Sequence, residues 1–173
     1  YENGFLPKGY EGSLFSCEPA KRQIFRYVPK PDGAGYKLER EVFLNRQGSD
    51  RMAGAFSDIL VGADGVLYLS DWYDPMVGGH GAADRKHIGK IYRIAPKGFK
   101  PSQSSPQSAE EMIVSPAHNV RFSGFHKLKQ QGPGALFSTQ KLLKNKSHWI
   151  PARAIWLLPH LGEKGTTELK KLA

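Results

Sequence analysis

The side chains best suited to chemistry gather between Ser70 and Gly89: Asp71, Trp72, Asp74, His80, Asp84 and His87. The three aspartates are hard oxygen donors of the kind Ca2+ takes. The two histidines could ligate a metal or move a proton near neutral pH. The spacing matches neither an EF-hand nor an H-E-x-x-H zinc site. Each residue also has an ordinary structural reading. An aspartate at a strand end bonds nearby loop amides. Trp72 and Tyr73 can pack on a neighbouring sheet, Gly78 and Gly79 supply turns, and His80 can be a satisfied hydrogen-bonding residue. The stretch is a long loop between two strands, and a loop held by a rigid scaffold is where function tends to sit. No G-x-S-x-G, phosphate-loop or dinucleotide motif is present anywhere in the chain.

The elements that must hold this loop read as strands, and they repeat. Gly12-Ser13-Leu14-Phe15-Ser16-Cys17-Glu18 is followed by Gln23-Ile24-Phe25-Arg26-Tyr27-Val28-Pro29-Lys30. Gly65-Val66-Leu67-Tyr68-Leu69-Ser70-Asp71 is followed by Lys90-Ile91-Tyr92-Arg93-Ile94-Ala95-Pro96-Lys97. Both units read Gly-x-Leu-aromatic, then Ile-aromatic-Arg, then, with one position of slack, an aliphatic residue and Pro-Lys. Their first strands lie 53 residues apart, a blade-like spacing with inserted loops. Asp32-Gly33 and Asp64-Gly65 are tight-hairpin signals. Residues 41–44 and 57–61 supply further strands. Arg26 and Arg93 fall at one repeat position, which predicts a structural role between repeats. The expected architecture is about two blades of a β-propeller, short of the four to eight that close one.

Residues 99–114, rich in Ser, Pro and Gln, read as a linker. Beyond it the apolar period becomes helical. Ser115-Pro116 predicts an N-cap and first turn, with Val120, Phe122, Phe125 and Leu128 at helical spacing up to Gly132-Pro133-Gly134. A second helix runs through Leu136, Leu142 and Leu143, and a third from Ile150-Pro151 to Leu161. Gly162 is expected to end the third, and a fourth to start near Thr166. Asn119-Val120-Arg121 answers Pro151-Ala152-Arg153, and Gly134 answers Gly165, an offset of about 31 to 33 residues that suits short helical repeats. The fold class expected is therefore β + α: residues 1–98 as terminal propeller blades, 99–114 as linker, 115–173 as HEAT-like helices. Their open last face predicts partners downstream.

Composition narrows the function classes. One cysteine, Cys17, makes neither an internal disulfide nor a C-x-x-C-H haem attachment. No run approaches the roughly 18 apolar residues of a membrane span. Nor does a charged n-region with an apolar run mark a signal peptide, and the start at Tyr1 suggests a processed or truncated chain. The net charge is +9, but the cations are dispersed and no aromatic-interleaved basic stripe accompanies them. Nucleic acid is therefore not the expected partner.

The segment from Gly62 to Pro75, then Gly79-His80, then Gly89 to Ile94, resembles the last blade of the putative membrane-bound dehydrogenases of the PVC-type haem-binding family. Their propellers are similar to those of quinoprotein glucose and sorbosone dehydrogenases, and HEAT repeats follow. Residues 115–121 and 152–158 resemble that junction. The resemblance implies a periplasmic or cell-envelope oxidoreductase of bacterial type acting on a sugar or related alcohol or aldehyde. Pyrroloquinoline quinone and Ca2+ would be its cofactors. Its partners would be the remaining blades, downstream helical repeats and a cytochrome c domain. This chain holds no covalent haem, and no catalytic residue carries over. Asp71, Trp72, Asp74, His80, Asp84 and His87 are expected to line the propeller mouth. A fragment of this kind is expected to be inactive alone. The alternative is a non-enzymatic propeller and HEAT scaffold that binds a protein or polysaccharide.

Overall fold

The computed structural model describes residues 1–2, 4–46, 55–73, 89–100, 108–147 and 149–173. They form two compact units, one of Tyr1–Gly62 with Val66–Phe99, the other of Ala63–Gly65 with Lys100–Ala173. The chain is mixed β and α: two small antiparallel sheets in the first unit and helices in the second.

The first sheet is ordered β1 (Leu14–Glu18), β2 (Gln23–Asp32), β3 (Gly35–Asn45). The second is β4 (Ala55–Val61), β5 (Leu67–Trp72), β6 (Lys90–Ile94). β2 and β3 are joined through Asp32-Gly33, where Gly33 takes φ 57°. β4 and β5 are joined through a turn in which Gly65 takes φ 79° and the Gly62 amide donates to the Val66 carbonyl at 2.8 Å. Both glycines supply the left-handed backbone these turns need. β3 extends well beyond the four residues expected of it, because the whole hairpin arm from Pro31 onward is paired.

The sequence repeat is a repeat of register. Leu14 opposite Tyr27 corresponds to Leu67 opposite Ile94, and Phe15 opposite Arg26 to Tyr68 opposite Arg93. Ser16–Phe25 corresponds to Leu69–Tyr92, Cys17–Ile24 to Ser70–Ile91, and Glu18–Gln23 to Asp71–Lys90. The preceding glycines agree as well: Gly12 has φ 76° and Gly65 has φ 79°. Overlaid on this shared hairpin, the two sheets generate one four-stranded antiparallel order: β4, β5 or β1, β6 or β2, then β3.

The two sheets bury different faces of that common pattern. The core of the β unit joins Phe15, Cys17, Ile24, Phe43 and Leu44 of the first sheet to Phe56, Ile59, Leu69 and Ile94 of the second. In repeat terms, Phe15 is equivalent to Tyr68, whereas Leu69 is equivalent to Ser16. One sheet therefore presents its odd face and the other its even face, and β1 lies against β4. Burial of Ile24, Phe56 and Leu69 stabilises this junction by about 1.5–3 kcal/mol per side chain.

Arg26 does not act between the sheets as expected. It donates to Ser13 Oγ at 2.7 Å, to the Gly9 carbonyl and to Glu41 Oε1 at 2.8 Å, and it stacks on Tyr10. These bonds tie β2 to β3 and to the segment before β1.

The second unit holds α1 (Ala109–Ile113), α2 (His118–Gln131), α3 (Leu136–Leu143), α4 (Trp149–Leu157) and α5 (Gly162–Leu172), with 3-10 turns at Gly132–Ala135 and Leu158–His160. Helix α1 lies in the stretch read as linker. A capping box makes it: the Glu111 amide donates to Ser108 Oγ at 3.0 Å, and the Ser108 amide to Glu111 Oε2 at 3.1 Å. Ser115 is not the N-cap of α2. Ala117 holds that position, and Ser115 Oγ accepts from the Ala117 amide instead. Gly132, at φ 55°, ends α2 as expected. Gly162 opens α5 where it was expected to end the preceding helix, so the last two helices are joined by one 3-10 turn.

Ala109, Ile113, Leu128, Ala135, Leu142, Ile150, Ala154, Leu157 and Leu161 form the helical core. Phe122, one of the residues at helical spacing on α2, and Trp156 on α4 are exposed. The proposed pairing of Gly134 with Gly165 fails. Gly134 sits in open space, whereas a Cβ on Gly165 would collide with the Leu158 carbonyl and Leu161 Cβ. Arg121 and Arg153 do share a job. Arg121 donates to the Pro116 carbonyl at 3.2 Å, and Arg153 to those of Ile113 at 2.8 Å and Ser115 at 3.4 Å. His126 and His160 pack on Phe122 and Phe125, as packing residues do.

Candidate functional site

Two of the six candidate residues fall on β5, and strand alternation separates them. Asp71 belongs to the Leu67, Leu69, Asp71 face and is 5% exposed. Trp72 points the other way and is 52% exposed. They are chain neighbours and cannot converge on one reacting atom. Asp74, His80, Asp84 and His87 lie outside the described residues.

Asp71 is set at the end of β5, opposite Phe56 on β4 and Lys90 on β6. Tyr92, two rows along on β6 and on the same face, donates its hydroxyl to Asp71 Oδ2 at 3.3 Å. At the return of the loop, a Cβ on Gly89 would stand 3.3 Å from the Asp71 carbonyl. Glycine there lets the strand come back close to β5. The arrangement fixes both ends of the 73–89 connection.

Tyr92 also lines a cleft of about 420 Å3 within the β unit, with Leu44, Asn45, Arg46, Phe56, Leu69, Arg93 and Ile94. That volume suits a small molecule. Its walls are apolar through Leu44, Phe56, Leu69 and Ile94. Arg46 brings a guanidinium whose Nη1 is buried with no hydrogen-bond partner among the described residues. A buried cationic donor left open favours an acceptor-rich or anionic group beside it. Arg93 alternates onto the opposite face of β6, where it stacks on Phe99 at 5.5 Å. The cleft draws on β3, β4, β5 and β6, so no local motif announces it. Arg46 directly follows β3 and belongs to no motif of the sequence.

Among the described residues no group of three or more His, Cys, Asp or Glu could hold a metal ion. Of the three aspartates expected to face Ca2+, Asp71 is the described one, and the Tyr92 hydroxyl donates to it. Cys17 is half-buried, and burial followed by the Asp58 charge pushes its thiol up, which makes it a poor nucleophile. No helix among the described residues is long and apolar enough to cross a membrane.

Comparison with known proteins finds no matching family model, no matching curated protein and no matching solved structure. The residues and their geometry are what bear on function.

Proposed function

We propose that the two sheets are successive blades of a β-propeller, that the helices begin a HEAT-type array, and that the chain is part of a cell-envelope dehydrogenase acting on a sugar or related alcohol or aldehyde. The observation that carries the architecture is the shared five-row register of β1–β2 and β5–β6. A four-stranded antiparallel order per repeat is that of a propeller blade. Burial of opposite faces by the two sheets is what stacking around an axis requires. The oxidoreductase part rests on the Gly62 to Pro75 resemblance. The small-molecule cleft beside Asp71 and Tyr92 is compatible with it. In this reading Arg46 and Asn45 would hold hydroxyl or carboxylate oxygens of the ligand, and Asp71 would orient Tyr92.

The engagement of Asp71 by Tyr92 favours a second reading, a propeller and HEAT scaffold that binds a protein or polysaccharide. It gives the one described acidic candidate a structural use. One assay separates the two. The full-length gene product is incubated with pyrroloquinoline quinone, Ca2+ and an aldose and alcohol panel, and dye reduction is followed. Turnover by that product, absent from the 173-residue chain alone, is the expected result. A full-length product that neither binds the quinone nor reduces the dye would leave the scaffold reading in place.

A further inference from the structure

The internal repeat says what belongs beside β6. β2 and β6 are equivalent strands, but β2 is central in its sheet and β6 is at the edge of its own. On the outer side of β2 lies β3, with Glu41 opposite Arg26, Val42 opposite Phe25 and Leu44 opposite Ile24. The Arg26–Glu41 pair closes at 2.8 Å. The corresponding residues of β6 are Arg93, Tyr92 and Ile91, and no strand of either sheet, among the described residues, pairs with their outer side. β6 is exposed at Lys90, Ile91, Tyr92 and Arg93, on both of its faces. Ile91 is 77% exposed. An unpaired, partly apolar edge is a template for strand addition.

We propose that β6 is a docking edge for an extended acidic peptide segment of a partner protein, which adds antiparallel to β6 as the sheet's fourth strand. The occupant follows from the template: a carboxylate opposite Arg93, a β-branched or apolar residue opposite Tyr92, and an aliphatic residue opposite Ile91. Charge agrees. β6 carries Lys90 and Arg93, and the chain carries +9, so an acidic strand is favoured over a basic one. Backbone hydrogen bonds along the edge supply affinity, and the Arg93 row supplies register. The inference goes beyond the dehydrogenase reading and rests on the repeat within the β unit, so loss of one does not entail loss of the other.

The test uses a fluorescent peptide copying residues 39–45, titrated with the 173-residue chain and read by anisotropy. Saturable binding is expected. Arg93→Glu weakens it about fivefold, as loss of a cross-strand ion pair and gain of a repulsion should. Arg93 is exposed, so the variant is expected to fold, and circular dichroism checks that it does. A peptide with Lys in place of the acidic residue at position 41 binds the parent chain weakly and recovers with Arg93→Glu. N-methylation of one alternate set of peptide amides abolishes binding, and of the other set leaves it, because alternate residues of a strand point their amides the same way. The proposal is overturned by no binding, by binding indifferent to Arg93, or by equal effects of the two methylation sets. Dimerisation of the chain through β6 without peptide would overturn it too, by assigning the edge to a second copy.

Discussion

Arg26 and Arg93 stand at one register position and carry unequal loads. Arg26 has a largely buried side chain bonded to Ser13, Gly9 and Glu41 and stacked on Tyr10. Arg93 has an aromatic neighbour, Phe99, and an exposed side chain. Arg26→Ala should destabilise the chain by about 2 kcal/mol, since charged hydrogen bonds are worth ~1.5–3 kcal/mol. Arg93→Ala should stay within about 0.5 kcal/mol of the parent, as exposed substitutions do. Urea unfolding followed by tryptophan and far-ultraviolet signals measures both. Equal losses would mean that the matched position, and not its local bonding, sets the energy. Cys17 gives a second check at this scale. Its raised thiol predicts slow alkylation by iodoacetamide at pH 8 in the folded chain, faster labelling only above the ordinary thiol range, and rapid labelling in denaturant.

Helices in the second unit approach closely at Gly165, a position the sequence repeat picks out, and at Gly124, which it does not. A Cβ on Gly124 would sit 2.5 Å from the Ile113 amide nitrogen and 2.7 Å from Met112 Cβ, where α1 crosses α2. Gly124→Ala and Gly165→Ala should each cost about 1–3 kcal/mol by overpacking. Gly134→Ala, in open space, should be neutral or stabilise by up to about 1 kcal/mol. Thermal melts rank the three, and the opposite ranking would discredit the close crossings. Helix α1 also carries a pH dependence. Ser138 Oγ donates to Glu110 Oε1 at 2.6 Å, and this bond is the main cause that lowers the Glu110 carboxyl below its ordinary value of 4.5. A lowered folded value means that its stability contribution is present above the unfolded value and lost as pH falls through the folded one. Glu110→Gln should therefore reduce the melting temperature at pH 7, with the difference shrinking from about pH 4.5 downward. A difference that is constant with pH would assign the effect to packing.

Legibility in the sequence followed locality. The hairpins were readable because Asp-Gly turns and a two-residue period are local signals, and the repeat was readable because each strand keeps its own order of residue types although the connections between strands differ in length. Helix α1 was missed because its five residues are too few to show a period, and the capping box Ser108-x-x-Glu111 was its available sign. Gly162 was misplaced because glycine marks helix ends in general, while here its φ of 78° sits at a start. Asp71 was found as a candidate, but its bond to Tyr92 depends on the β5–β6 pairing and the Arg46 cleft on residues of both sheets coming together, which no linear spacing encodes.

At the scale of the β unit, stacking opposite faces leaves each outer face equivalent to one already buried. The outer face of the first sheet carries Leu14, Tyr36, Leu38 and Val42, each 48–72% exposed. Cross-strand pairing puts them in rows with Phe25, Tyr27 and neighbouring prolines. Its repeat equivalent in the second sheet holds Leu69 and Ile94, which are packed into the core. An apolar face of this composition costs little while covered and promotes association while open. Sedimentation velocity of the 173-residue chain should then show association that grows with concentration. The double substitution Leu38→Lys with Val42→Lys should reduce that association. It should leave the melting temperature within about 2–4 °C, because exposed side chains contribute little to folding. The alternative outcome is equally readable. A chain that stays monomeric with these residues intact would mean the face is tolerated in water, and the argument for a neighbouring sheet would then rest on register alone. A double variant that unfolds would mean the face is covered within the chain, against its exposure and against the stacked-blade reading.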